Sequence, residues 1–236
     1  MRPGAASLMV ARAAPAVLVG ANAIASPSGY NPVLAWPAGA VAGNVALVAV
    51  ASTYLVNSVS FGDGLTAPVG WSKLTSLAWP TVGYTSAALT KLLAGGDVTA
   101  PPALNHVAGG PIFTRVYRGC SAIALRQTAT RELGDHQLIF PGIVKSANCK
   151  GLVSVVFDRN PDLPGPTEPT GWDNQITSAG VGFWSGASAD LLRANRYHDN
   201  DPIIWTGFSD PDPIPDGEGG FIPQALPQVG FLFELT

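Results

Sequence analysis

The tetrapeptide Pro68-Val69-Gly70-Trp71 returns later in the chain as Pro169-Thr170-Gly171-Trp172, and each copy has the same neighbours. With 21 Pro, 27 Gly and 6 Trp in 236 residues, composition alone predicts about 0.06 occurrences of Pro-x-Gly-Trp. An apolar run precedes each copy, Val45 to Ala51 in the first and Leu152 to Phe157 in the second. Before those runs stand matching entries, Leu34-Ala35-Trp36-Pro37 and Leu138-Ile139-Phe140-Pro141. After each copy comes Thr-Ser, then Ser86-Ala87-Ala88-Leu89 or Ser188-Ala189-Asp190-Leu191, and finally a Pro-led strand, Pro111 to Tyr117 or Pro227 to Leu235. The order holds while the offset drifts from 104 (Leu34 to Leu138) to 116 (Pro111 to Pro227), as a duplicated supersecondary unit with loop insertions would give.

The turn has a physical rationale. Proline presets φ for the second position of a turn, and glycine two residues later accepts a positive φ. Pro68, Gly70, Pro169 and Gly171 are therefore read as turn residues, with Trp71 and Trp172 closing the end of a core. Val45 to Ala51 is apolar at nearly every position, the pattern of a strand covered on both sides. Val45, Leu47 and Ala49 are expected on one face, with Ala46, Val48 and Val50 on the other. Val229, Phe231, Phe233 and Leu235 should share one face and Gly230, Leu232 and Glu234 the other, one face looking inward and the other partly outward.

Gly and Pro spread among Val, Thr, Phe and Trp favour short strands joined by turns. The expected fold is all-β, an antiparallel, jelly-roll-like β-sandwich built from two sequence-related halves, about 34–119 and 138–235, within a domain spanning 31–236. Residues 1–30 are an N-terminal arm or leading strand. A leader-like reading of Met1 to Ala25 is weakened by Pro15, Gly20 and Asn22 inside its apolar stretch. The connector at 120–137 holds Ser121 to Leu133, whose Ala, Leu, Arg and Gln content suggests a short helix, or else a crossing loop. The Pro-rich segments Asp158 to Pro169 and Ser209 to Pro223 are expected as surface loops without strand pairing. Cys120 and Cys149 fall around the junction, either bridged or as two buried free thiols.

Composition also narrows function. A net charge of −3 with scattered Lys and Arg gives no basic stripe for nucleic acid, and no stretch has the apolar length for membrane insertion. No nucleophile elbow, zincin, phosphate-loop or zinc-cysteine motif occurs, and His106, His136 and His198 share no motif. No catalytic residues and no cofactor are assigned. Trp79 and Trp184, in Gly-rich surroundings, are the candidates for glycan contact. The carboxylate-bearing segments His198-Asp199-Asn200-Asp201 and Asp210, Asp212, Asp216 and Glu218 admit either ordinary turn chemistry or, for the latter four, a calcium site.

Several of these segments together resemble β-rich virion proteins of tailed bacteriophages, of the minor tail, head-spike or decoration type. They are Pro37 to Asn44, Val45 to Ala51, Pro68 to Trp71, Ala88 to Asp97 and Val116 to Gly119. The chain departs from that pattern at Asn44, where Asp is commoner, and in the insert Ser209 to Pro223. The resemblance implies a non-enzymatic virion component that self-associates symmetrically, meets other virion proteins and touches host-surface polysaccharide. The Ala-rich arm would then reach a neighbouring subunit, so that removing residues 1–28 weakens assembly without unfolding the sandwich. The reading from another class is a carbohydrate-binding β-sandwich module that uses Trp79 and Trp184.

Overall fold

The computed structural model describes residues 14–24, 32–53, 67–79, 84–104, 110–131, 136–158, 166–178, 184–193, 196–208, 214–215, 221–222 and 228–236. The first half contributes β1 (Val17–Ile24), β2 (Val45–Thr53), β3 (Ser72–Trp79), β4 (Tyr84–Leu92), the single-turn helix α1 (Gly95–Thr99) and β5 (Ile112–Arg118). The second contributes β6 (Ile123–Arg131), β7 (Gln137–Phe140), β8 (Gly151–Asp158), β9 (Asp173–Ser178), β10 (Ser185–Leu191), β11 (Ile203–Thr206), β12 (Ile214–Pro215), β13 (Phe221–Ile222) and β14 (Gln228–Leu235).

Two five-stranded antiparallel sheets result, ordered β1-β5-β2-β4-β3 and β6-β14-β8-β10-β9. Where a jelly roll alternates between sheets, this chain completes one sheet before it starts the other. Strand for strand the two orders are the same, with β6 standing where β1 stands, β14 where β5 stands and β8 where β2 stands. Across the sandwich β1 lies against β9 and β3 against β6. The strands between them therefore stack β5 on β10, β2 on β8 and β4 on β14. Each strand of one half faces the counterpart of a different strand in the other, except β2 and β8, which face each other. That exchange is the pairing a two-fold axis through β2 and β8 produces.

Three apolar clusters hold these layers. The central one joins Val45, Leu47, Ala49, Phe113 and Tyr117 of the first sheet to Val153, Val155, Phe157, Phe231 and Phe233 of the second. Ala46, Val48 and Val50 point instead into an outer cluster with Leu34, Trp71 and Leu89. On the far side, Leu152, Val156 and Leu232 meet Leu138, Phe140, Trp172 and Trp205. Both faces of the central strands are thus dry, which is why β2 reads as an unbroken apolar run. Strand β14 is buried along its whole length, so the face of Gly230, Leu232 and Glu234 is not partly outward. A Cβ on Gly230 would lie 2.6 Å from Phe140 Cζ, because β7 packs on that face.

Three further expectations need correction. Ser121 to Leu133 carries neither a helix nor a loop over 123–131, which is β6, paired along β14. Its burial alternates residue by residue, and pairing with a buried strand overrides helix propensity. Of the arm or leading strand expected at the N-terminus, the described part is a strand, β1, hydrogen-bonded along β5 from Val17 to Ile24; what fails is the expected harmlessness of deleting residues 1–28, which would uncover a sheet edge. Within Ser209 to Pro223 the short strands β12 and β13 pair with each other; a two-residue ladder leaves room for Pro215 at its end.

Candidate functional site

Both Pro-x-Gly-Trp turns close with a backbone hydrogen bond, Trp71 N–H to Pro68 O at 3.0 Å and Trp172 N–H to Pro169 O at 3.1 Å. Gly70 and Gly171 have φ of 79° and 82°, the left-handed value that glycine adopts without a Cβ penalty. The two indoles then fold inward, each 8% exposed. Trp71 stacks on Trp36, ring centroids 5.9 Å apart and planes within 5°. Trp71 and Trp172 are core closures. The turns differ in what they show outside: Val69 is 97% exposed, and Thr170 stands exposed in its place.

Trp184 is fully buried in the central cluster and offers no face to a sugar. Its Gly-rich neighbourhood suggested a loop, but Gly186 is there for packing, since a Cβ would sit 2.9 Å from Phe113 Cε2 across the sandwich. Trp79 ends β3, and its side chain lies outside the described residues, as do Asp210, Asp212, Asp216 and Glu218. Among the described residues no group of three or more His, Cys, Asp and Glu side chains is placed to hold a metal. No described helix is long and apolar enough to cross a membrane. Cys120 and Cys149 are free thiols. Burial raises the pKa of both, that of Cys149 to about 11 with help from the nearby Glu234 carboxylate, so neither is a thiolate at neutral pH.

A polar cluster that sequence reading missed lies between the sheets. Arg115, 1% exposed, projects from β5 among apolar residues. Its guanidinium lies 2.6 Å from Asp190 Oδ1 and donates to Ser188 Oγ at 2.9 Å, Ser188 O at 2.6 Å and Asn174 O at 2.7 Å. Tyr117 donates to the same Asp190 oxygen at 2.6 Å. Burial pushes the Asp190 carboxyl above its usual range against the pull of Arg115. Burial, and then the Asp190 charge, hold the Tyr117 phenol well above its ordinary value. The one sequence signal was Asp190 standing in the repeated Ser-Ala-x-Leu where the first half has Ala88. This cluster is sealed from solvent and ties sheet to sheet.

The open site lies beside the second turn. A groove of about 510 Å³ runs between segment 167–172 and segment 196–206, with Glu168, Trp172, Arg196, Tyr197, Asp201 and Thr206 among its walls. One wall is fixed by backbone hydrogen bonds between Thr167 and Thr206 in both directions, at 2.9 and 3.2 Å, and by Gln175 Nε2 donating to Pro166 O at 2.7 Å. On the other wall the buried Tyr197 hydroxyl accepts from Ile143 N–H and donates to Asp201 O, both at 2.8 Å. Asn200 N–H bonds Ile143 O at 3.0 Å, and Lys145 N–H bonds Asp199 Oδ1 at 3.2 Å. The turn His198 to Asp201 thus works as a tether, while Glu168, Arg196 and Asp201 make no side-chain hydrogen bond or ion pair among the described residues. Nothing in the sequence joins 168 to 196; the Thr167–Thr206 bridge and the loop after β10 bring them together.

No protein-family model, no curated protein and no solved structure gives a significant match to this chain.

Proposed function

We propose that the chain is a non-enzymatic structural subunit of a tailed phage or phage-like particle, a head-spike, decoration, tail or fibre-base component that works by symmetric self-association. The reading starts from the sequence resemblance. The observation that supports it in the fold is an exposed apolar end on the first half. Val41, Val69 and Leu92 are 55%, 97% and 59% exposed. Val41 and Leu92 lie at one end of the first sheet because the 41–44 turn hydrogen-bonds the end of β4, Gly43 N–H to Leu93 O and Leu93 N–H to Asn44 O, both at 2.8 Å. The other turn arrives at the same end, with the open side of Gly70 facing Lys91 Nζ. Two apolar side chains on turns and a third at the end of β4, in a chain with only 12% charged residues, suit a surface covered by another subunit.

Light scattering of the purified protein tests this. A closed oligomer is expected, with Val69→Asp or Leu92→Asp driving it to a monomer that keeps the β-rich circular dichroism of the parent, while its thermal midpoint loses the concentration dependence of the oligomer. Five copies would place the subunit at a capsid vertex, and three or six at a fibre or tail. A monomer at all concentrations, or an oligomer indifferent to both substitutions, overturns the proposal.

A further inference from the structure

The two halves treat the region after the fourth strand of their five-stranded sheets, β4 and β10, differently. In the first half, α1 follows β4, and its charged groups are spent on one another: Lys91 Nζ lies 2.6 Å from Asp97 Oδ1, and Asp97 also accepts from Ala94 N–H at 2.8 Å. Trp36 Nε1 donates to Asp97 O at 2.6 Å. In the second half, the loop after β10 leaves Arg196 and Asp201 without a partner among the described residues, facing a groove whose opposite wall carries an equally unpartnered Glu168.

We propose that this groove is a binding site for a neutral saccharide. A sugar presents hydroxyls that donate and accept around an apolar C–H face. Glu168 and Asp201 are acceptors, Arg196 is a donor, and the Thr170 and Thr206 hydroxyls serve as either. Trp172, Pro202 and Ile204 add apolar lining. Two carboxylates against one guanidinium leave the groove with a formal charge of −1, which repels uronic acids, sialic acids and phosphate. At about 510 Å³ it lies within the roughly 300–1,000 Å³ of small-ligand pockets. The tethers at Tyr197, Asn200 and the Thr167–Thr206 bridge fix both walls before any ligand arrives, which lowers the ordering cost of binding. The site stands apart from the apolar end of the first half, so its test does not depend on self-association.

The test is titration of the intact protein with glucan, mannan and galactan oligosaccharides, beside oligogalacturonate and a Lys/Arg-rich peptide, followed by NMR or calorimetry. At least one neutral oligosaccharide is expected to bind, and Glu168→Gln and Asp201→Asn each to weaken it by about tenfold or more. Oligogalacturonate should not bind. Arg196→Ala provides a third, exposed position should either carboxylate variant unfold, and a thermal melt confirms the fold of each. Failure of every neutral oligosaccharide, binding that survives all three substitutions, or preference for the basic peptide, which would assign the groove to a protein partner, each overturns the inference.

Discussion

Two quadrants of the central core occupy exchanged positions in the sandwich and are built from opposite chemistry. Where β5 faces β10, Arg115 and Tyr117 reach Ser188 and Asp190. Where β14 faces β4, Phe231 and Phe233 lie opposite the strand that carries Ser86 and Ala88, and all four are buried. The serine is present in both: Ser188 Oγ accepts from Arg115, while buried Ser86 Oγ has no partner among the described residues. The same backbone arrangement therefore accepts either filling. The apolar quadrant gains its stability from transfer out of water, without regard to direction. The ionic quadrant must overcome the desolvation of two charges, and what it adds is a fixed alignment of one sheet on the other, because five donor–acceptor contacts are met only in one register.

Breaking the ionic quadrant by one partner should have the largest effect. Asp190→Ala leaves the Arg115 guanidinium buried without its counter-ion, which costs about 3–5 kcal/mol. Urea unfolding should show the loss as a lower midpoint at unchanged slope. Arg115→Leu combined with Asp190→Ala converts the quadrant to the chemistry of its counterpart and should recover most of that loss. If the double variant is as unstable as the sum of the singles, the two residues are not coupled and the contrast between the quadrants is only compositional.

The turns, by contrast, should behave alike. Gly70→Ala and Gly171→Ala each force a Cβ into left-handed backbone, at a cost of about 1–2 kcal/mol. Nothing lies within 4 Å of a Cβ on Gly171, and Gly70 meets only the flexible end of Lys91, so conformation alone sets both values. Thermal unfolding that separated the two variants widely would mean that one turn bears on its core in a way the other does not.

What the sequence made legible follows from how local each feature is. The Pro-x-Gly-Trp turns and the two faces of Val45 to Ala51 depend on neighbours along the chain; the faces and the positive-φ glycines stand as read, whereas Pro68 and Pro169 accept the closing hydrogen bond and so occupy the first turn position, not the second. Over residues 123–131 the Ala, Leu, Arg and Gln content points to helix, while the strand shows only in Ile123, Leu125, Gln127 and Ala129 alternating with more exposed neighbours. Trp184 differs from its expectation for a related reason: a glycine nearby signals a loop only if nothing presses on it, and Phe113 presses on Gly186 from a strand 73 residues away in sequence (186 against 113). The Arg115–Asp190 pair and the Glu168–Arg196 groove join distant segments, and no periodicity or spacing in a single chain reports such contacts. The repeat did give a hint at Asp190, a charge at a position where its counterpart is Ala88.

The smallest expected effect concerns pH, and it isolates the phenol of the ionic quadrant. Tyr117 has its pKa raised by burial and by Asp190, well above the 10.0 of a free tyrosine. Below about pH 10 both folded and unfolded chains hold that proton, so the phenol adds no pH dependence. Above it the unfolded chain releases the proton and the folded chain keeps it. The unfolded state then binds fewer protons, and stability falls as pH rises, by about 1.4 kcal/mol per unit until the folded value is reached. Tyr117→Phe removes this slope while giving up the hydrogen bond to Asp190. Urea unfolding between about pH 9 and about pH 11 should therefore show a shallower alkaline loss in the variant than in the parent. The opposite quadrant has Phe231 and Phe233 and nothing to titrate, so Phe233→Leu should lower stability by the same amount at every pH. Equal alkaline slopes for the parent and Tyr117→Phe would mean that the phenol is not sealed between the sheets, and the ionic quadrant would then be open to solvent where its counterpart is dry.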